Sequence, residues 1–365
     1  MIYAPRRKGS EPMECGTLII GGGLSGLRLA SLLNERGDDF MLFEGRDRLG
    51  GRILSKNHQT GQFDLGPAWF WDGQPRIDAL IRHYGLDRFE QYADGILTFE
   101  DEKGAVQRGR GFASMEGSFR LSGGLGALIH ALADSLPRDR VQLSRKVTSL
   151  RRTADNIEVI CADGQILNAH RVVLALPPRV AATLEFSPAL SDMTIGALQN
   201  VATWMAGQAK AVAVYDKPFW REAGLSGDAM SRHGPMVEIH DASPAMGGPY
   251  ALFGFIGVAP AARKNEHALR SAVITQFERL FGKEAATPRH LFLKDWAHDP
   301  FTSTALDHQP LYSHPTYGRP AALRDLWDNR LLFAGTEMAP QFGGYLEGAL
   351  EAAEDALRLL FMEKV

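Results

Sequence analysis

Apolar residues recur along this chain at two alternating spacings. Thr17 to Ile20 is a short apolar run of buried-strand length, Leu24 to Leu33 has helical spacing, and Phe40 to Phe43 is a second strand-like run. After Arg52, ILSKN and QFDLG flank a turn at His58 to Gly61 and predict a hairpin. Helical spacing resumes over Arg76 to Tyr84, while residues 85 to 118 mix glycine and charge and read as short strands and loops. A strongly apolar helix is predicted from Leu125 to Leu136, ending before Pro137. Short strands follow at Val141 to Leu143, Lys146 to Arg151, Ile157 to Cys161 and Arg171 to Leu176.

A second region then begins. Ser191 to Asn200 and Asn265 to Phe281 read as helices, and Met205 to Tyr215, Met236 to His240, Tyr250 to Val258 and Leu291 to Trp296 as strands. Ala297 to Arg319 is rich in Pro, His and Thr and reads as a loop, long enough to suggest function or close packing. Arg330 to Phe333 is a last strand and Phe342 to Phe361 a last helix. Strands alternating with helices imply an α/β architecture.

Bulk properties narrow the partners. The chain has 365 residues, room for two or three domains, and a net charge of −3 with no long basic run, which argues against nucleic acid. Arg6, Arg7 and Lys8 read as part of a solvated, disordered leader over residues 1–13. No apolar stretch has transmembrane length and no secretory signal is visible, so a cytoplasmic protein without a membrane anchor is expected. Cys15 and Cys161, the only cysteines, match no zinc or redox pattern, and no metal site is expected. No H-E-x-x-H, G-x-S-x-G or P-loop pattern occurs.

The informative segment is 17–52, TLIIGGGLSGLRLASLLNERGDDFMLFEGRDRLGGR. Gly21, Gly23 and Gly26 fall in G-x-G-x-x-G spacing between a strand and a helix, and Glu44 closes the next strand. This is the dinucleotide fingerprint in its required context. Gly21 permits the turn, Gly23 removes a Cβ that would block a pyrophosphate, and Gly26 lets the helix approach the sheet. The helix N-terminus attracts phosphate, and Glu44 can accept from both ribose hydroxyls. The segment Gly45-Arg46-Asp47-Arg48-Leu49-Gly50-Gly51-Arg52 points to a cofactor that extends past its pyrophosphate, FAD rather than NAD, although a solvated basic loop has the same composition. Near the other end, FAGTE at 333–337 and GGYLEGAL at 343–350 open a second helix whose N-terminus could stabilise a reduced flavin.

GGGLSGL, LFEGRDRLGGR, FDLGPAW, RVVLALPP, AKAVAVYDKPFW, LLFAGTE and GGYLEGAL occur in order between Thr17 and Leu360. Together they resemble the flavin-containing amine oxidases. The resemblance implies a discontinuous Rossmann-like FAD-binding domain over 14–75, 119–187 and 306–365, and a substrate domain over 76–118 and 188–305 with a mixed sheet flanked by helices. It implies that Gly21, Gly23, Leu24, Ser25 and Gly26 hold the pyrophosphate and Glu44 the ribose. Gly45, Arg46, Gly50, Gly51 and Arg52 would line the phosphate and ribityl path, with Glu337 and Gly335 near its junction. Gly66, Pro67, Ala68 and Trp69 would run beside the ring, Val147 would meet the adenine, and Gly344, Tyr345 and Leu346 would lie at the ring.

Lys210 sits in an apolar run where alternation puts Lys210, Val212 and Val214 on one face and Ala209, Ala211 and Ala213 on the other. Read alone, it is either a snorkelling edge lysine or a lysine needed inside. The resemblance makes it the lysine that holds a water at the flavin, Tyr345 one wall of an aromatic cage, and Trp296 a ring neighbour. Two departures matter. No cysteine occurs between Asp299 and Gln309, so FAD should be non-covalent. The second cage tyrosine is missing, with Phe301, Phe342 and Tyr312 as candidates to replace it. The segment 76–118 is also short for the family and implies a more open entrance.

The activity implied is hydride transfer from an amine-bearing carbon to flavin, imine hydrolysis, and reoxidation by O2 giving H2O2. A single dinucleotide fingerprint makes the substrate the expected reductant. A homodimer is compatible. An L-amino acid oxidase, with Arg110, Arg232 or Arg263 holding a carboxylate, a flavin-dependent desaturase or protoporphyrinogen-oxidase-like enzyme, and a non-catalytic FAD-fold binding protein are the alternatives.

Overall fold

A computed structural model describes residues 13–311 and 313–362. Of the expected leader only Met13 is described, and it begins the first strand; Arg6, Arg7, Lys8 and Tyr312 lie outside the described residues.

The first sheet has eight strands. Met13–Ile20 lies at its centre, parallel to Phe40–Phe43 on one side and to Ile166–Leu174 on the other. Ile166–Leu174 runs antiparallel to Ile157–Cys161 along its first half and parallel to Leu331–Phe333 along its second. Val147–Arg152, Glu185–Ser187 and Val141–Gln142 complete the sheet. Both faces are covered, as a parallel sheet requires. Ile19, Leu42 and Val173 pack against the helices Leu24–Arg36, Leu125–Asp134 and Leu346–Phe361. Leu18, Ile20 and Val172 pack on the opposite side with Leu198, Leu323 and Trp327. The strand over 171–176 therefore begins five residues earlier than apolar content suggests, because the polar residues of ILNAH still pair in the ladder.

The second sheet has seven strands in the order His290–Asp295, Ala209–Tyr215, Tyr250–Ile256, Met236–Asp241, Leu225–Ser231, Ile96–Glu100 and Val106–Gly109. It is antiparallel except where Leu225–Ser231 meets Ile96–Glu100, so it is mixed. Its faces divide as alternation predicts. Ala209, Ala211 and Ala213 pack on Val273, Phe277 and Leu280 of the helix Glu266–Phe281. Val212 and Val214 face Phe63, Leu65, Ala68 and Trp69, which arrive from the first unit through the hairpin Ser55–His58 and Gly61–Asp64. Met205 takes a left-handed φ of +62°, so the strand starts at Ala209 rather than at Met205. Asn265 and Ser191 cap their helices by accepting from Ala268 N and Thr194 N.

No helix of the described residues is long and apolar enough to cross a membrane.

Candidate active site

A single cavity of about 530 Å³ runs from the fingerprint turn to the second sheet. The fingerprint turn shapes one end. Gly21 has a φ of +113°, and a Cβ on Gly26 would lie 1.9 Å from Gly21 O, so the helix can sit this close to the strand only with glycine there. A Cβ on Gly23 would meet no protein atom nearer than 3.8 Å; the space in front of it belongs to the cavity. Gly50 N donates to Gly22 O at 2.8 Å, which lays the Gly50–Arg52 segment across the turn.

Glu44 is buried at this end. Its carboxylate accepts from Gly22 N at 2.7 Å and from Arg46 N at 2.9 Å. The Arg46 guanidinium reaches Asp299 at 2.6 Å and Thr302 at 2.9 Å. Phe301 packs on Gly45 and lies under Arg46, 5.0 Å from the guanidinium to its ring centre. Further along, Arg52 donates to Glu337 Oε1 at 2.7 Å; Glu337 is fully buried and its Oε2 has no partner among the described residues. A buried carboxylate oxygen without a donor is costly. An open glycine cradle, two arginines and the Glu44 carboxylate on its wall fit a phosphate- and hydroxyl-bearing cofactor.

The other end is formed by the second sheet and the last helix. Lys210, 4% exposed, donates from Nζ to Gly66 O at 2.5 Å. Trp296 Nε1 donates to Leu65 O at 2.8 Å, so both residues pin the same segment, Leu65 to Trp69. Lys210 Nζ lies 4.9 Å from the Phe255 ring centre and 5.5 Å from that of Phe253. Burial pulls the Lys210 pKa down to about 7, with Asp64 partly opposing. Tyr345 is the N-cap residue of the last helix, and its ring stacks on His314 at 4.8 Å. Thr336 holds this entry by donating to Tyr345 O at 2.9 Å and accepting from Gly344 N at 3.1 Å.

The cavity brings together Gly21, Gly23, Leu24, Ser25, Glu44, Arg46, Gly50, Gly51, Arg52, Gly66, Pro67, Ala68, Trp69, Lys210, Trp296, Gly335, Gly344, Tyr345 and Leu346. Four residues of the expected site do not line it. Gly26 and Gly45 sit behind the wall, Glu337 reaches it through Arg52, and Val147 is buried in its sheet opposite Cys161. Phe301 lies at the Glu44 end, away from the Tyr345 ring whose partner it was a candidate to be; the ring that stacks on Tyr345 is His314. Trp71, Gln74, Met115, Trp204, Met205 and Glu238 also line the cavity and went unread in the sequence. Glu238 alone carried a signal, a charge in the middle of the predicted strand Met236 to His240. Among the described residues no group of side chains could hold a metal ion.

A doubly covered Rossmann-like sheet opening into a cofactor-sized cavity defines a dinucleotide-binding α/β protein. The family model for flavin containing amine oxidoreductase matches residues 96–358, and that for an NAD(P)-binding Rossmann-like domain matches residues 19–84. The chain is 26% identical to flavin-containing amine oxidase B of Sus scrofa, over 94% of this chain and 86% of that protein. It is 25% identical to a flavin-containing amine oxidase of Danio rerio, over 93% and 84%. Among solved structures, putrescine oxidase bound to putrescine superimposes with a TM-score of 0.79 at 18% identity, covering 96% of this chain and 100% of that one. Cyclohexylamine oxidase from Brevibacterium oxydans IH-35A gives 0.77 at 20%, covering 94% and 97%. This chain belongs to the flavin-containing amine oxidoreductases. It is a flavin enzyme acting on CH–NH2 or CH–NH donors.

Proposed function

We propose that the protein is an amine oxidase that holds FAD non-covalently along this cavity and uses dioxygen as electron acceptor. The observation that carries the reading is Lys210, an amine held almost out of water on the cavity wall with its pKa drawn to about 7. Glu44 would take the adenosine ribose, the Gly21–Gly26 turn with Arg46 and Arg52 the phosphates, and the Gly66–Trp69 segment the ring. FAD, when bound, supplies a two-electron acceptor for the C–H bond next to the amine nitrogen and passes those electrons to dioxygen. Lys210 exists in both protonation states near neutrality, so it can take and return a proton within the cavity. Trp69, Trp296 and Phe255 keep water out, and the Tyr345 face offers a surface that tolerates an amine in either charge state. Both cysteines are buried in strands of the first sheet and neither lines the cavity, which supports non-covalent binding.

The amino acid oxidase alternative is weakened. Arg263 is buried on Asp295, Arg232 pairs with Glu102 at the surface, and Arg110 is exposed; none lines the cavity. The test is amine-dependent oxygen consumption by the purified flavoprotein across a panel of amines and amino acids. Equal amounts of oxygen consumed and peroxide formed with an amine support the reading. Turnover only with a polyene, a porphyrinogen or an amino acid overturns it.

A further inference from the structure

The two solved neighbours carry different amines in their names, a diamine and an alicyclic monoamine, so likeness does not choose between them. The cavity wall does. The strand registers place Lys210 opposite Phe255 and Phe255 opposite Glu238. Directly paired residues point to the same face of a sheet, so Lys210, Phe255 and Glu238 stand in one row, and all three line the cavity. With neighbouring strands about 4.8 Å apart, Lys210 and Glu238 are separated by about 10 Å at the backbone, with an aromatic ring between them.

Glu238 is a carboxylate with one oxygen free. Its two hydrogen bonds, from Ser114 Oγ at 2.5 Å and His240 Nε2 at 3.0 Å, both arrive at Oε1. Among the described residues nothing bonds Oε2. Burial works to raise the Glu238 pKa, but the bonds from His240 and Ser114 outweigh it and hold the group ionised. His240 is 1% exposed and shared: its other ring nitrogen bonds Asp228 at 2.6 Å, a carboxyl whose pKa burial raises. Glu44, the other carboxylate on the cavity wall, is occupied by Gly22 and Arg46 at the far end. Lys294 and Arg52 are bound to Asp299 and Glu337. Glu238 Oε2 is therefore an ionised carboxylate oxygen at the second-sheet end of the cavity with no donor among the described residues.

We infer that the substrate is an amine with a second cationic group, in its simplest form an aliphatic diamine, whose remote ammonium is held by Glu238. This rests on the amine-oxidation reading above. The row also orients the molecule. Lys210, partly charged, disfavours an ammonium beside it, while Glu238 attracts one, so the neutral end goes to the reacting side and the charged end away from it.

The experiment is anaerobic bleaching of the FAD-bound enzyme by 1,4-diaminobutane and by 1-aminobutane, read as reduction rate constant over Kd. The wild type prefers the diamine at least tenfold, the worth of one charge-assisted hydrogen bond. In Glu238→Gln that ratio falls toward one; a general structural defect would lower both terms and leave the ratio standing. Glu238→Asp keeps part of the preference and moves the optimum to a longer diamine. Should the glutamine variant not retain FAD, the wild-type series from 1,3-diaminopropane to 1,6-diaminohexane against the matching monoamines still decides, with a diamine optimum expected at one length. A wild type that bleaches with monoamines at least as well, or a ratio unchanged by Glu238→Gln, overturns this inference alone. Bleaching by no amine of either series overturns the amine-oxidation reading and this inference with it.

Discussion

Lys210→Met separates what the buried lysine costs from what it does. Burial moves its pKa from 10.5 to about 7, and at about 1.4 kcal/mol per pH unit this corresponds to roughly 5 kcal/mol. The direction is the reverse of a lysine gaining a partner. Below pH 7 the lysine is charged in both the folded and the unfolded chain, and the full desolvation cost is present. Between pH 7 and 10.5 the unfolded chain binds the proton and the folded chain does not, so stability rises with pH across that window. Methionine removes the charge and leaves Gly66 O without its donor, which costs about 1–3 kcal/mol. At pH 6 the net gain is about 2–4 kcal/mol, on the order of 5 °C in apparent Tm for a chain of this size. At pH 9 most of that gain is gone. The assay is thermal unfolding of both proteins at pH 6 and pH 9 under equal FAD saturation. In parallel, the variant keeps FAD but is reduced or reoxidised about a hundredfold more slowly. A Met variant that is less stable at pH 6, or a stability difference that does not change between the two pH values, refutes the burial argument. Near-normal turnover refutes the catalytic one.

Two further substitutions test the cofactor end. Glu44→Ala removes the carboxylate that faces the cavity beside Gly22 and is expected to weaken FAD binding by tenfold or more, measured by titrating apoprotein with FAD; unchanged affinity would remove Glu44 from the site. Arg52→Ala leaves the fully buried Glu337 without its cation and is expected to destabilise the FAD-free protein by about 3–5 kcal/mol in urea unfolding; a loss below about 1 kcal/mol would mean the pair is not structurally coupled.

The fingerprint unit was readable because local pattern and tertiary role coincide there. Gly21, Gly26 and Phe40 to Phe43 are dictated by a turn, a close helix–strand approach and a buried strand, all within thirty residues. The hairpin before Asp64 and the two faces of Ala209–Tyr215 were legible for the same reason. Other elements depend on partners distant in sequence. Leu225–Ser231 has the polar, glycine-containing sequence LSGDAMS and becomes a strand only between two other strands. A bulge at Met236 to Glu238 turns Met236 and Ile239 toward the helix, Glu238 toward the cavity and His240 onto Trp69, which simple alternation does not foresee. His314 meets Tyr345 from a loop with no periodicity to read.

The central claim is that an amine meets its oxidant inside this cavity. Anaerobic mixing of the purified yellow protein with a panel of primary amines tests it most directly, by absorbance of the bound flavin. The expected result is loss of the oxidised flavin bands with at least one amine and their return on admitting air. A flavin that stays oxidised with every amine offered, or a colourless protein that FAD does not reconstitute, would contradict it.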